Sequence, residues 1–279
     1  MYKRYYDIDV DAKAYANNIV KAGGRIPSDI GSVSDFIRRL KQDNLYHSLI
    51  DMWFCRNNQN DPNPNKLYAF KSPFYDGIII PANGSPTWTA NGIRTSTVAD
   101  FTTPPIWIPN GAALLARYPV TSMCVFNCYN TSWSLNGYWM YGNAYNNQTT
   151  NQGNGGWFRA AVGVDVLNQM RNQTLVSAST FTHGIFQFNS NTTINQPTNN
   201  SKTYKNGTLS ATQTAFGPIL PPPTNSSGGR SYQIGNSTGT TTNGTISFHA
   251  VFENDFSATD HLNFYNIYKA TAGKGLGLP

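Results

Sequence analysis

The sequence predicts a mainly β protein, an antiparallel sandwich with helical segments at both ends of the chain. Short segments in which apolar and polar residues alternate recur from residue 78 onward, separated by Gly, Asn and Pro turns. Asn206-Gly207 lies between two such segments and predicts a hairpin, because both central residues of a type I′ turn require a positive φ. Charged residues make up only 12% of the 279 residues, so neutral polar groups must solubilise the surface.

The first part of the chain is predicted to be helical. Acidic residues open the segment 9–24 and a glycine pair closes it, which is the charge and stop pattern of a helix. A second helix is predicted after Ser28 or Ser32, either of which would serve as its cap. Its apolar residues recur at helical spacing at Val33, Phe36, Ile37 and Leu40. A third short helix is predicted over Leu45–Trp53.

These patterns divide the chain into three parts. Residues 1–55 are assigned to a helical docking module, and residues 56–66 to a polar, proline-punctuated linker. Residues 67–279 are assigned to a β-sandwich with a closing helix. The strands predicted for the sandwich lie at residues 78–80, 87–89, 106–108, 122–129, 137–141, 157–164, 180–187, 202–204, 232–234 and 246–252.

The closing helix has a clear start signal. Ser257 and Asp260 have the spacing of a capping box, in which each side chain accepts a hydrogen bond from the other residue's backbone N–H. Leu262, Tyr265 and Tyr268 then follow on one side of the predicted helix. We expect this helix to pack back on the sandwich or on a neighbour.

Charge and hydropathy exclude several partners. The net charge of +6 is spread out, and no basic run interleaved with aromatic residues predicts a nucleic-acid groove. No window of about eighteen apolar residues exists, so membrane insertion is not expected. The N-terminus lacks the apolar core of a signal peptide, which predicts synthesis in the cytoplasm of a host cell.

The cysteines and histidines predict neither a metal site nor a cofactor. If Cys124 and Cys128 share one strand, their Cα atoms are about 13 Å apart, which is too far for a disulfide. We therefore expect buried free thiols, Cys55 included. The four histidines share no metal-ligand spacing with cysteines or acids. His249 alternates with the core residues of its strand and is predicted to face outward.

Two groups of motifs resemble a known family. The first is Asp9-x-Asp-Ala-x-Ala-Tyr15 and the apolar residues that follow it to Trp53. The second is Tyr204-x-Asn-Gly207, then Ile234-Gly235, and then a strand that ends in Val251-Phe252. In this order they resemble tailed-bacteriophage virion proteins, in which a helical leader precedes a concanavalin A-like or laminin-G-like jelly roll. The resemblance covers roughly residues 7–55 and 201–270.

This resemblance implies a structural protein of the virion surface, as a capsid decoration, a head fibre or a tail component. Such proteins sit on symmetric assemblies, so a homo-oligomer is expected, and a trimer by family analogy. The helical module is expected to dock on other virion proteins, because so short a cluster is too small to be stable alone. The side chains expected to carry this docking are Tyr15, Phe36, Leu40 and Trp53.

The acidic residues argue against glycan hydrolysis, which requires two carboxylates facing each other across the sugar. Glu253 is the single glutamate of the chain, and Asp165 is the only acid between Asp100 and Glu253. Asp255 lies close to Glu253, but both sit at a turn into the closing helix. The sequence therefore predicts a non-enzymatic protein, and a polysaccharide depolymerase using Glu253 and Asp255 is the less favoured alternative.

Aromatic residues between 88 and 157 leave glycan binding open, because aromatic rings stack on sugars and amide groups bond their hydroxyls. If the protein binds host surface glycans, the residues expected to do so are Trp139, Tyr141, Asn143 and Tyr145. The alternative is that these rings pack in the core or at a subunit interface. The long polar loops at 143–156 and 219–229 are expected to face solvent.

Overall fold

The computed structural model describes residues 7–56, 60–79, 87–95, 106–109, 120–128, 137–143, 155–161, 164–169, 175–178, 184–190, 201–213, 232–235 and 244–278. The helices are α1 (Val10–Lys21), α2 (Ile30–Gln42) and α3 (Ala258–Ala270). The strands are β1 (Leu49–Phe54), β2 (Lys66–Leu67), β3 (Gly77–Ile79), β4 (Thr87–Thr89), β5 (Gly92–Thr95), β6 (Ile106–Ile108), β7 (Val120–Cys128), β8 (Gly137–Asn143), β9 (Gly155–Ala161), β10 (Val164–Gln169), β11 (Leu175–Ala178), β12 (Gly184–Ser190), β13 (Ser201–Lys205), β14 (Thr208–Gln213), β15 (Tyr232–Gly235) and β16 (Gly244–Phe252).

The described strands pair antiparallel in two sheets of eight strands, which confirms the predicted mainly β, antiparallel architecture. Sheet A has the order β14-β13-β12-β7-β16-β5-β4, with β1 also paired to β16. Sheet B has the order β11-β10-β9-β8-β15-β6-β3-β2. Strand β16 is central in sheet A, because β7 pairs along one of its edges and β5 and β1 share the other.

The predicted hairpin is confirmed between β13 and β14. Asn206 and Gly207 have φ values of 51° and 78°, so both central residues adopt the positive φ of a type I′ turn. Helix α3 covers this hairpin, because the ring of His261 stacks on that of Tyr204 with 3.7 Å between their centroids. The closing helix therefore packs back on the sandwich, which is one of the two arrangements expected from the sequence.

We expect Gly207→Ala to lower the free energy of unfolding by about 2 kcal/mol. A Cβ at this position would lie 2.9 Å from Cα of Leu262, and the positive φ would be strained as well. Gly275→Ala is the matched control, because Gly275 also has a positive φ (+87°) but no atom near its added Cβ. Urea unfolding of both variants separates the cost of the contact with Leu262 from the cost of the strained positive φ. Equal losses would show that backbone strain alone sets the cost.

Residues Leu49–Phe54 form strand β1, so the predicted third helix is wrong beyond a 3-10 turn at Tyr46–Ser48. Strand β1 pairs antiparallel with β16, with Met52 opposite Ala250 and Phe54 opposite Phe248. All but one of its six residues are buried. A short apolar run fits a buried strand as well as a helix, and here a partner strand about 200 residues later in the chain decides between them.

Helices α1 and α2 pack on sheet A in the same core as the strands. The buried cluster runs from Tyr15 of α1 and Phe36 of α2 to Phe54 of β1, Phe248 of β16 and Phe264 of α3. Its members are in contact as aromatic pairs with centroids 5 to 7 Å apart, and one example is the 5.7 Å pair of Phe36 and Phe248. The predicted boundary at residue 55 therefore does not separate two cores among the described residues.

The four side chains predicted to dock on other virion proteins are fully buried within this chain: Tyr15, Phe36, Leu40 and Trp53 are all 0% exposed. They offer no surface to a partner, and we correct their assignment. Burial of these apolar side chains stabilises the packing of the helices and β1 against the rest of the molecule. The helical spacing of Phe36 and Leu40 indicates only that this side of the helix is buried. A sheet of the same chain can bury it as well as a second subunit can.

The ends of the helices follow local chemistry. Helix α1 begins after Asp9, whose side chain accepts the backbone N–H of Asp11. Helix α2 begins after Asp29, so neither Ser28 nor Ser32 caps it. The predicted apolar stripe of α2 is nevertheless confirmed, and its buried members are Val33, Phe36, Ile37 and Leu40.

Helix α3 has the predicted capping box. The Oγ atom of Ser257 accepts the N–H of Asp260, and the carboxylate of Asp260 accepts the N–H of Ser257 at 2.9 Å. Tyr265 and Tyr268 are buried as the predicted stripe requires. Leu262 was assigned to the same stripe, but it is 45% exposed.

His249 is fully buried, which corrects the outward orientation predicted from strand alternation. Both faces of β16 are covered: Phe248 and Phe252 pack beneath the helices, and His249 and Val251 are buried on the opposite face. The His249 imidazole stacks on the indole of Trp53 with 5.6 Å between ring centroids. Burial lowers the pKa of His249 to about 3, so this imidazole is neutral at physiological pH.

Candidate functional site

A groove of about 600 Å³ lies where the C-terminal end of α1 meets the beginning of strands β2 and β3. We call it the β2–β3 groove. The residues that line it are Ala22, Pro62, Asn63, Pro64, Asn65, Lys66, Pro73, Asp76, Gly77, Ile78 and Pro109. Its volume is within the range of small-molecule binding sites. The lining combines amide and charged groups with prolines and an isoleucine.

An ion pair lies in the wall of the groove. The Nζ atom of Lys66 is 2.9 Å from Oδ2 of Asp76, and the other carboxylate oxygen of Asp76 accepts the backbone N–H of Ala69 at 2.9 Å. The side chains of Lys66 and Asp76 are 35% and 16% exposed. Because Asp76 is held by two partners, both polar groups are fixed before any ligand arrives.

The loop that carries the groove's amides is held by Asp61. One carboxylate oxygen of Asp61 accepts the backbone N–H of Asn63 at 2.7 Å and the hydroxyl of Tyr68 at 3.1 Å. The other accepts the backbone N–H of Arg25 at 2.8 Å, which ties the loop to the end of α1. Burial is the main cause that raises the pKa of Tyr68, and the Asp61 carboxylate adds to it. The tyrosine therefore remains a hydrogen-bond donor.

The Asn63 side chain completes this framework. Its Nδ2 atom donates to the carbonyl of Ala22 at 3.2 Å and to the hydroxyl of Tyr68 at 3.3 Å. Gly24 lies close by, and a Cβ added there would be 2.8 Å from the Asp61 carboxylate. Within the segment predicted to be a linker, residues 60–66 are thus packed against the end of α1.

Aromatic residues flank the groove. The indole N–H of Trp88 donates to the carbonyl of Pro64 at 2.7 Å, which fixes the strand β4 side of the groove. Phe74 follows the lining residue Pro73 and is 58% exposed. Its ring makes an edge contact with that of Tyr75, with 5.2 Å between centroids. Hydrogen-bond donors and acceptors of the groove therefore lie beside apolar and aromatic surface.

A buried carboxyl supports the segment that forms one wall. Asp51 of β1 is fully buried, and its oxygens accept the backbone N–H groups of Met52 at 2.8 Å, Lys71 at 2.9 Å and Ser72 at 3.0 Å. Burial raises the pKa of Asp51 to about 7, and these three donors oppose that rise. Asp51 thus fixes the backbone just before Pro73 of the groove.

The sequence singled out four residues for glycan binding: Trp139, Tyr141, Asn143 and Tyr145. Tyr145 lies outside the described residues, and the other three occupy alternate positions of β8. Tyr141 is opposite Ile234 of β15, which is opposite Ile106 of β6. Whether these three residues bind a glycan or pack in the core stays a prediction.

Ile78 of β3 lines the groove, is 43% exposed, and is paired with Trp107 of β6.

The groove residues themselves were missed. The run Asp61-Pro-Asn-Pro-Asn-Lys66 was interpreted as a linker because polar and proline-rich composition is typical of one. The same composition also gives a rigid loop with several amide groups. This feature of the sequence could have indicated a binding site. The two loops expected to face solvent lie almost entirely outside the described residues.

The alternative catalytic pair lies at the C-terminal end of β16. Glu253 and Asp255 occupy the short connection between β16 and α3, as the sequence indicated. Glu253 is exposed, and its backbone N–H donates to the carbonyl of Ser48 at 2.7 Å. Neither residue lines the β2–β3 groove.

The predicted thiols are partly described. Cys55 and Cys124 are buried and free, and burial raises the pKa of each. Cys124 and Cys128 lie in the single strand β7, as the argument against a disulfide between them assumed. Within the described ranges, no three side chains of His, Cys, Asp or Glu come together as metal ligands would. In the same part of the chain, no helix has both the length and the apolar character required to cross a bilayer.

Comparison with known proteins gives similarity in structure alone. No protein-family model matches this sequence, and no curated protein matches it either. Botulinum neurotoxin type C, which depends on interaction with two ganglioside molecules to enter cells, is similar over 81% of this chain, with 14% identity and a TM-score of 0.52. The binding domain of botulinum neurotoxin DC in complex with SialylT is similar over 79%, with 14% identity and a TM-score of 0.51.

A sialidase of Trypanosoma rangeli in complex with sialic acid matches over 80% of this chain and 33% of its own, with 7% identity and a TM-score of 0.47. The chain spans about half the length of the two neurotoxin chains, which it covers to 52% and 51%. At 14% identity the neurotoxin similarity establishes the fold, a β-sandwich, and does not establish a shared site.

Proposed function

We propose that this chain is a non-enzymatic, carbohydrate-binding β-sandwich of jelly-roll connectivity, displayed on the surface of a tailed-phage virion. The observation that carries the binding activity is the β2–β3 groove, in which the fixed pair Lys66–Asp76 and the exposed amide of Asn65 lie beside Ile78 and four prolines. Sugars require this combination, because a pyranose ring has hydroxyls at its edge and C–H groups on its faces. The shared fold with neurotoxin chains described with gangliosides and SialylT also supports it.

The virion assignment rests on the resemblance in residues 7–55 and 201–270. A homotrimer that contacts other virion proteins and lies at the particle surface is proposed on the same basis. Antibody labelling of intact particles, viewed by electron microscopy, tests the location, and sedimentation of the purified chain tests the trimer. Labelling absent from assembled particles, or a monomer in sedimentation, would contradict these parts of the proposal.

We expect the groove variant Asn65→Ala/Ile78→Ala to bind glycans at least about tenfold more weakly than the unchanged protein. It removes one exposed amide and one 43%-exposed apolar side chain from the lining. A glycan panel identifies the ligand, and calorimetry measures its affinity. Leu209→Ala is the control, because Leu209 is a strand residue of similar exposure (49%) that does not line the groove. Equal losses in both variants would exclude the groove as the site.

A separate assay for new reducing ends tests the competing enzymatic function. Incubation with host polysaccharide is expected to release no new reducing ends, because the proposed groove contains one carboxylate and not the pair that hydrolysis requires. Release that disappears in Glu253→Gln would replace the binding proposal with a depolymerase.

A further inference from the structure

We infer that the β2–β3 groove takes an uncharged glycan, without sialic acid, uronic acid or sulfate groups. This inference rests on the proposed carbohydrate binding and names the ligand class of the same site. Lys66 and Asp76 are the charged side chains among the residues that line the groove. Their charges are opposite and 2.9 Å apart, so the lining is formally neutral.

The position of Asp76 disfavours an acidic ligand. A carboxylate or sulfate that approached the Lys66 ammonium would also approach Asp76, and the two negative groups would repel each other in a partly desolvated site. Asp76 cannot easily move away, because its other oxygen accepts the N–H of Ala69 at 2.9 Å. Only 16% of its side chain is exposed, so water screens its charge poorly.

Sugar hydroxyls fit the same pair without repulsion. A hydroxyl donates one hydrogen bond and accepts others, so neighbouring hydroxyls of one ring can donate to Asp76 and accept from Lys66. The exposed Asn65 side chain offers a further donor and acceptor. Ile78 and the prolines Pro64 and Pro73 provide apolar surface for the C–H groups of the ring.

The test uses pairs of oligosaccharides that differ only in one acidic sugar, bound to the full chain. We expect the unchanged protein to bind the uncharged member at least about tenfold more tightly. Asp76→Asn keeps an oxygen that can accept the N–H of Ala69 and removes the negative charge. It is expected to weaken binding of the uncharged member about tenfold and to strengthen binding of the acidic one.

Asp35→Asn is the matched control, since Asp35 loses the same charge on the surface of α2 and does not line the groove. A salt titration of the unchanged protein gives a second readout that needs no variant. Between about 50 mM and about 500 mM salt, affinity for the uncharged member should change less than about twofold.

The outcomes separate this inference from the proposed function. A preference of the unchanged protein for the acidic member, or a preference that Asp76→Asn leaves unaltered, overturns the uncharged ligand class and leaves carbohydrate binding in place. A protein that binds neither member, nor any other glycan of the panel, overturns the proposed function.

Discussion

Replacing Phe36 with alanine will lower the free energy of unfolding by about 4 kcal/mol, which is a large part of the stability of a typical domain. The Phe36 ring is fully buried and makes edge contacts with four other rings. Their centroids lie between 5.6 and 6.1 Å away, and the partners are Phe54 of β1, Phe248 of β16, and Phe264 and Tyr268 of α3. Truncation therefore leaves a cavity where two helices and sheet A meet.

Urea unfolding followed by far-UV circular dichroism and by tryptophan fluorescence measures this effect. Both signals should move together, because the helices and the sheet share one core. The control Val10→Ala, at a residue of α1 that is 70% exposed, should change stability by less than about 0.5 kcal/mol. If Phe36→Ala shifts only the helical signal, residues 1–55 unfold separately from the sandwich, and the predicted boundary at residue 55 separates two cores after all.

Raising the pH from about 5 to about 7 will lower the stability of the protein by about 2 kcal/mol through Asp51. Burial raises the pKa of this carboxyl from 3.8 to about 7 in the folded chain. Between these two values the folded state binds one proton more than the unfolded state does. Stability therefore falls by up to about 1.4 kcal/mol for each pH unit, and the loss is complete above the folded pKa.

Asp51→Asn isolates this effect, because an amide does not titrate. Chemical denaturation of both proteins across the pH range should show a steeper fall for the unchanged protein. The variant will itself be less stable, since the amide nitrogen that replaces Oδ2 cannot accept the N–H of Ser72, whereas the remaining oxygen can still accept those of Met52 and Lys71. Parallel curves would mean that the three donors keep Asp51 ionised throughout the range.

These two residues connect stability with the proposed site. Asp51 holds the backbone of Lys71 and Ser72, next to Pro73 in the wall of the groove. Phe36 holds the helix layer to sheet A, and the loop 60–66 is tied to the end of α1 through Asp61 and Asn63. Loss of either support should reduce ligand affinity as well as stability, because the groove depends on a loop whose position is set by its neighbours.

Local signals in the sequence were sufficient for several elements. The two helical N-terminal segments, the turn at Asn206-Gly207 and the capping box at Ser257 depend on residues within a few positions of each other. Most of the strands after residue 77 were also predicted from alternation, although Gly92–Thr95, Val164–Gln169 and Leu175–Ala178 were not. Short-range backbone preferences and caps are properties of the local chain, so no knowledge of the fold was required.

The candidate site depended on information that no local pattern contains. Lys66 and Asp76 lie ten positions apart in sequence and become an ion pair only because β2 and β3 are neighbours in sheet B. Tyr141 of β8 and Ile234 of β15 likewise become neighbours only because their two strands pair. A shift of one residue in register exchanges the two faces, and the sequence does not specify that register by itself.

The sequence by itself determined the mainly β antiparallel class, the helices at the two ends and the local turns and caps, because these follow from nearest-neighbour chemistry. Only the tertiary structure decided that Leu49–Phe54 is a strand, that Tyr15, Phe36, Leu40 and Trp53 are core, and that His249 is buried. The physical reason is the same in each case. Burial depends on what covers a residue, and here the covering elements, β16 and α3 above all, come from the opposite end of the chain.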